Sequence, residues 1–427
     1  MTGRPARTRP LLLQRDFGVY WAASLLATSG MWLWRITGPI LLFELTSSAF
    51  MLGVLSVASY GPILLLSFAG GVLADRFPRR ALIAMSHGLT GTLFAVLAAV
   101  HATSGLSPAL LCCAAVVEGV AVSLAKPALN SFVAELVPTD RLAEAIAVNT
   151  AQFTLAQLVG PAVATGLLVV GGPALPLAVA AALYLPLVVA MRLVHSHHAP
   201  HRGMASARLR DLVGTGLTAV RQRPVAQLLL VIAVGSIALE GGVRVLAPQF
   251  VRDALGRAES SAGMVLTGQA LGSVVAVLVI GRVQRRWPPL RVARQAFVVI
   301  AFALAGYALA PNVGVALALA AVIGAAQTTS FSVATSALHQ VTADHLRGRI
   351  MAVHAMALLG MRPVAGLAAG SLASVAGPRL ASGAFVLLGA AGVLAVRRVA
   401  TVLHEAPSTP ELMASRPTLA TSPGAPR

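Results

Sequence analysis

Gly70-Gly71-Val72-Leu73-Ala74-Asp75-Arg76-Phe77-Pro78-Arg79-Arg80 decides how this chain is read. The stretch separates two long apolar runs, 50–69 and 81–100, and is the densest charge cluster in the first half of the sequence. Hydrocarbon solvates neither a carboxylate nor a guanidinium, so an acid and three arginines between two apolar segments belong at a membrane surface.

The whole composition agrees. Of 427 residues, 57% are hydrophobic and 11% charged, and mean hydropathy is +0.81, whereas a soluble domain is about 25% charged. The apolar runs are apolar on every face, which excludes the alternating pattern of a barrel and leaves a polytopic helical membrane protein. A net charge of +18 would suggest nucleic acid in a soluble protein. Here the cations flank apolar runs, so they read as topology signals and no nucleic-acid partner is expected. Cys112 and Cys113 are adjacent in an apolar run and read as packed thiols, not as a disulfide framework.

A span needs roughly 20 apolar residues. Twelve runs qualify: 17–43, 50–73, 81–101, 108–133, 143–170, 174–193, 225–250, 261–281, 291–310, 313–338, 350–375 and 380–396. With twelve spans, 25 of the 32 cationic residues fall on the side of the termini and 3 on the other, the remaining four lying within spans. That bias places both termini in the cytoplasm and the chain in the inner (plasma) membrane. The basic segment Met1 to Arg15 leads into a full-length span containing Arg35, so an uncleaved first helix is expected rather than a signal peptide. The longest polar interruption, 194–224, is a cytoplasmic loop between two six-helix bundles, 17–193 and 225–398. Residues 1–16 form a cytoplasmic tail, and 399–427, rich in Pro, Ser, Thr and Ala, read as a disordered one.

The halves are weakly alike. Val137-Pro-Thr-Asp140-Arg-Leu142-Ala-Glu-Ala-Ile146 parallels Val341-Thr-Ala-Asp344-His-Leu346-Arg-Gly-Arg-Ile350, and Gly160-Pro161 parallels Arg362-Pro363, at an offset of 202 to 204 residues. Six spans plus six with a half-length repeat is the pattern of transporters built from two similar bundles.

The opening stretch, with Gly71, Asp75, Arg76, Arg79 and Arg80, resembles the loop between the second and third helices of major facilitator superfamily transporters. Pro78 replaces a glycine common in that superfamily. The replacement is similar to the bacterial branch of enterobactin exporters and macrolide efflux proteins. Glu44-Leu45-Thr46-Ser47-Ser48-Ala49 resembles that branch's link between helices 1 and 2, Leu142-Ala143-Glu144-Ala145 its start of helix 5, and Arg347-Gly348-Arg349 its start of helix 11. Gly160-Pro161 resembles the helix 5 motif of drug–proton antiporters, although Ala164 and Thr165 stand where that motif has a glycine pair. Ala115 stands where the antiporter pattern has a helix 4 arginine, and Glu118 where it has a glutamine. The resemblance implies a major facilitator fold, helices 1, 4, 7 and 10 around a central cavity, and a latch in which Asp75 meets the start of helix 11 beside Arg347 and Arg349. It also implies export of a small molecule against proton influx. Arg79 and Arg80 would meet anionic lipid headgroups.

Ionisable residues inside spans are costly, so each is a functional candidate. They are Arg35, Glu118, Lys126, Glu240, Arg244 and Arg362. Glu118 lies about ten residues into its span, roughly 15 Å deep. It reads either as a proton-coupling or substrate-binding carboxylate or as half of a structural pair with an arginine on a neighbouring helix. Lys126 is about 80° further round that helix, so the two form no simple i,i+4 pair. Glu240 and Arg244 are four apart and read first as local neutralisation. Arg35 adjoins Trp32 and Trp34, which form either a cavity wall or an interfacial belt. Gln152, Gln157, Gln269 and Gln327 are uncharged cavity candidates or interhelical links. His195, His197, His198 and His201 lie in the central loop and read as a solvated linker; no metal site and no cofactor are expected. No Gly-x-x-x-x-Gly-Lys-Ser/Thr occurs, which excludes that route to ATP.

The expectation is therefore a monomeric secondary transporter, not an enzyme, that exports a drug, natural product or siderophore by alternating access, with the proton gradient as its drive. A lipid or metabolite transporter on the same fold is the alternative, and a non-transporting polytopic membrane protein the one after it.

Overall fold

The computed structural model describes residues 10–195, 223–342 and 347–405. Within its helices the side chains at 67–69, 71, 72, 75, 223, 347–349, 351, 352, 355 and 402–405 lie outside that description.

The described chain is helical throughout. In the N-terminal half, α1 is Arg15–Thr46, α2 Ala49–Arg76, α3 Arg79–Thr103, α4 Pro108–Leu136, α5 Leu142–Gly171 and α6 Ala174–Leu193. In the C-terminal half, α7 is the stretch Pro224–Ala254. Then come α8 Ala262–Arg286, α9 Pro289–Ala308, α10 Val313–Val341, α11 in two pieces, Arg347–Leu359 and Met361–Ala384, and α12 Val386–Glu405. Among the described residues, ten stretches are long and apolar enough to span a membrane. One of them, Met356–Thr401, covers 46 residues, the length of two spans, and within it two helical segments meet across a kink at Gly377, whose φ is 79. With α1, that makes twelve.

The termini of these helices follow from their sequence. Three even-numbered helices that start at the end opposite the chain termini carry side-chain N-caps. Ser48 accepts from Met51 N–H, Ser107 from Leu110 N–H and Asn312 from Val315 N–H, each satisfying an orphan donor of the first turn. At the arginine-rich end, α3 follows an N-cap proline, Pro78, and α9 begins on Pro289, whose fixed φ suits the first helical position.

Three boundaries differ from the sequence reading. The run 225–250 is not a regular helix. It contains π-helical turns at Glu240–Arg244 and Phe250–Ala254. Pro248 cannot donate to the Arg244 carbonyl, and the wider turn just before it accommodates the ring. The run 350–375 is interrupted at Gly360, where Pro363 removes the donor for the Leu359 carbonyl. The last helix continues to Glu405, past the expected boundary at 398, while 406–427 lie outside the described residues.

Packing shows the internal repeat directly. In the first half α1 packs on α5 and α6, α2 on α4, and α3 on α4 and α6. The second half repeats every pairing six helices later: α7 on α11 and α12, α8 on α10, and α9 on α10 and α12. The bundles meet along two seams, α2 with α11 and α5 with α8, which the same shift interconverts. Outside the bundles the surface is apolar: Leu65, Phe302 and Val375 are 78%, 75% and 89% exposed. In water such a surface would associate; in a bilayer it is the lipid face.

One end of the interface is tightly closed. Where α2 crosses α11, a Cβ on Gly53 would lie 2.7 Å from the Gly366 carbonyl oxygen. Glycine on both helices lets the backbones touch. In the other seam Gly263 of α8 sits against Thr165 and Pro161 of α5. Both contacts lie towards the α1–α2 and α7–α8 links, the end away from the chain termini.

Candidate functional site

A cavity of about 90 Å³ lies between the two bundles. Its walls come from α1, α2, α4, α5, α7 and α8 and include Trp32, Trp34, Arg35, Tyr60, Glu118, Gln157, Pro161, Glu240, Arg244 and Gln269. The expected lining by α1, α4, α7 and α10 is thus corrected: α2, α5 and α8 contribute to these walls, and α10 supplies none of them.

On the N-terminal side Arg35 Nη2 faces Glu118 Oε1 at 3.6 Å. The contact is an ion pair without a hydrogen bond, and both oxygens of the buried Glu118 carboxylate lack a hydrogen-bond partner, as does Arg35 Nε. On the C-terminal side Glu240 Oε2 is shared by Arg244 Nη1 at 3.7 Å and Arg362 Nε at 3.6 Å. Arg244 Nε also donates to Gln269 Oε1 at 3.1 Å. The reading of Glu240 and Arg244 as simple local neutralisation is therefore incomplete, because Glu240 of the π-helical turn also meets Arg362 of a second helix, α11.

Tyr60 of α2 joins the two sides. Its hydroxyl accepts from Arg35 Nη1 at 2.5 Å and from Arg362 Nη1 at 3.1 Å. Both guanidiniums also stack over its ring, with Cζ 4.9 Å and 5.0 Å from the centroid. Sequence reasoning did not single out Tyr60. Its one signal was a phenol in the middle of an apolar span, a signal shared by Tyr20, Tyr184 and Tyr307.

The remaining candidates sort by packing. Trp34 is buried against Phe94 and Trp32 stands edge-on to Phe153, so both tryptophans form cavity wall rather than an interfacial belt. Gly160 has Trp32 lying directly on it, with no room for a Cβ, and Pro161 lines the cavity beside it. Gln152 ties α5 to Ser24 and Thr28 of α1, an interhelical link. Gln327, expected at the cavity, is buried instead between α10 and Gly235 of α7. Lys126, eight residues beyond Glu118, leaves the cavity and lies over the Phe153 ring at 5.4 Å.

At the α2–α3 link, Gly71, Asp75 and Arg76 belong to the last turns of α2, and Arg347 and Arg349 begin α11. The surroundings of Gly71, Asp75, Arg347 and Arg349 lie outside the described residues. Arg79 Nη1 binds Glu135 Oε1 at 2.5 Å, tying the start of α3 to the end of α4. Arg80 lies over the Phe132 ring. His197, His198 and His201 are outside the described residues, and among the described ones no cluster of His, Cys, Asp or Glu could hold a metal ion.

Two pseudo-symmetric six-helix bundles around a charged mid-span cavity define a membrane transporter of the major facilitator fold. Solved structures agree at low sequence identity. A point mutant of the nucleoside transporter NupG is similar at TM-score 0.73 and 12% identity over 89% of this chain and 99% of that one. A bacterial homolog of the human lysosomal transporter Spinster, inward-facing and occupied, gives 0.72 and 13% over 94% and 100%. A bacterial homologue of the iron transporter ferroportin, inward-facing, gives 0.68 and 16% over 91% and 99%. The chain belongs to the transmembrane secretion effector family, whose pattern matches residues 8–422. This is a family of transporters, not of enzymes. No curated protein sequence matches it.

Proposed function

We propose that this chain exports a small molecule by alternating access, with proton influx as the drive and Glu118 as the coupling carboxylate. The observation that carries the proposal is the Glu118–Arg35 pair: a buried carboxylate held at 3.6 Å from one cation and by no hydrogen bond. Protonating Glu118 removes the counter-charge of Arg35, which is bonded to Tyr60 and through it to Arg362 of the other bundle. A proton on α4 is thereby felt at the bundle interface. The cavity of about 90 Å³ has room for only a few waters, whereas sites for drug-sized ligands run to about 300–1,000 Å³. Loading therefore requires the bundles to part, as rocking about a midplane site does.

The arginine bias supports cytoplasmic termini, and in that orientation the closed seam end faces outward. In this reading Gly71, Asp75, Arg76, Arg79 and Arg80 with Arg347 and Arg349 form the opposite, cytoplasmic gate. Asp75 would be drawn to the α11 N-terminus when that gate closes; full transport in Asp75→Asn would refute this role. The central test uses inverted membrane vesicles with an imposed pH gradient and a panel of drugs, natural products and siderophores. Wild type is expected to accumulate at least one of them. Glu118→Gln is expected to lose gradient-driven accumulation, and wild-type rates in that variant would remove Glu118 from the mechanism.

A further inference from the structure

We infer that the central site takes an anionic group, a carboxylate, phosphate or sulfonate, held between Arg35 and Arg362 in the place now filled by the Tyr60 hydroxyl. This rests on the transporter reading and specifies its substrate class.

The first argument is charge. Arg35 and Arg244 line the interface cavity and Arg362 joins them through Tyr60 and Glu240, against the two carboxylates Glu118 and Glu240. Three permanent cations facing two carboxylates leave one positive charge without a partner when both acids are ionised, and two when Glu118 carries a proton. Uncompensated charge away from water is costly, and an anion arriving there removes that cost.

The second argument is geometry. Arg35 and Arg362 belong to different bundles, yet both donate to one oxygen. A phenol is neutral and offers a single atom to two forks that each match a two-oxygen acceptor. A carboxylate or phosphate supplies the charge and the second oxygen, and charge-assisted bonds of this kind are roughly twice as strong as neutral ones. The Tyr60 ring lies under both guanidiniums, at 4.9 and 5.0 Å, so it sets the two forks side by side, and a swing of this one side chain clears the position between them for an anion.

The third argument is that the site is loosely made. All three ion pairs run from 3.6 to 3.7 Å, longer than the 2.7–2.9 Å of a charge-assisted hydrogen bond. Two glutamates set back from three arginines leave the guanidinium donors available to a ligand. The walls beside them are Trp32, Trp34, Leu52 and Leu55, which suit an apolar or aromatic body behind the anionic head.

The test titrates the full-length chain in phosphatidylcholine nanodiscs, in a Trp21→Phe, Trp287→Phe background so that fluorescence reads the wall tryptophans Trp32 and Trp34. The probes are benzoate, phenyl phosphate and 1-naphthalenesulfonate on one side and benzylammonium and ethidium on the other. Saturable quenching by at least one anion and by neither cation is expected. That affinity should fall at least tenfold in Arg362→Gln, fall less in Arg362→Lys, and rise several-fold in Glu118→Gln. A gain of affinity cannot come from misfolding, so Glu118→Gln keeps the test sharp if Arg362→Gln fails to fold. Weaker apparent affinity in phosphatidylglycerol nanodiscs would identify a competing lipid headgroup as a source of the same anion. Saturable binding of the cations alone, of no probe, or of anions with unchanged affinity in both Arg362 variants overturns the inference. The two readings fail separately. Ethidium carried into inverted vesicles sinks the anion site and keeps the exporter. Anions that bind with these charge effects but are never carried sink the exporter and keep the site.

Discussion

Arg252 of the C-terminal bundle donates a hydrogen bond from Nη1 to the hydroxyl of Ser47 in the N-terminal bundle, at 2.9 Å. The guanidinium also lies 4.1 Å above the Phe43 ring and is oriented by Asp253 at 2.8 Å and Glu259 at 3.3 Å. Ser47 ends α1 with φ 48, the one positive φ outside glycine among the described residues, and this turn brings its hydroxyl to Arg252. The contact joins the α1–α2 link to the end of α7 at the closed end of the cavity. Arg252→Ala should favour opening there by about 1 kcal/mol, allowing for the partial exposure of the pair. The check is maleimide labelling of Leu52→Cys from that side, in a Cys112→Ala, Cys113→Ala background. Its rate is expected to rise about fivefold, since about 1 kcal/mol is that factor in population. An unchanged rate would show that the α2–α11 crossing alone holds this end shut.

The α2–α11 crossing gives a second prediction at the same end. A Cβ on Gly53 would stand 2.7 Å from the Gly366 carbonyl oxygen and 3.0 Å from Leu367 Cα, both backbone atoms that cannot rotate away. Overpacking a contact of this kind costs typically about 1–3 kcal/mol. Gly53→Val should lower the melting temperature in detergent more than Gly53→Ala, and should cut transport because the closed state is the one wedged apart. Gly61, one helical stretch further along α2, meets only the Val57 side chain at 3.8 Å. Gly61→Ala is therefore the control and should leave both readouts near wild type.

Why these features divide as they do between sequence and fold is physical. Twelve spans were legible because hydrocarbon imposes length and composition on each, and the arginines on one side number 25 against 3. The buried charges Arg35, Glu118, Glu240, Arg244 and Arg362 were legible because a charge in a span is conspicuous. Their partners were not. Arg362 lies 302 positions from the Tyr60 hydroxyl it bonds, and no local spacing encodes a contact across two bundles. Gln269 and Gln327 were equal candidates in the sequence; only packing sends one to Arg244 and the other behind α7. Lys126 was conspicuous by the same rule yet turns away from the cavity, because the helix carries it off Glu118's face and Phe153 offers it a ring. The π-helical turn was hidden too: Pro248 announces a disturbance in α7 but not that the turn before it widens to aim Glu240 at Arg362.

Glu240 serves two guanidiniums, and that sharing yields the most discriminating stability prediction. Removing one partner of a buried ion pair costs about 3–5 kcal/mol, because the charge left behind is uncompensated. Glu240→Gln leaves Arg244 and Arg362 without their common counter-ion and should lower the melting temperature sharply. Adding Arg244→Gln to that variant restores the wild-type charge balance around the cavity and gives Gln269 an amide to pair with. The double variant should therefore be more stable than the Glu240→Gln single variant, although it carries one more substitution. If Glu240 and Arg244 merely neutralised each other, with Arg362 independent of them, Arg362→Gln would rescue nothing in the Glu240→Gln background. The shared geometry at 3.6 and 3.7 Å requires that either arginine substitution recover part of the loss. Melting curves of the single, the two doubles and wild type in one detergent decide between the two arrangements.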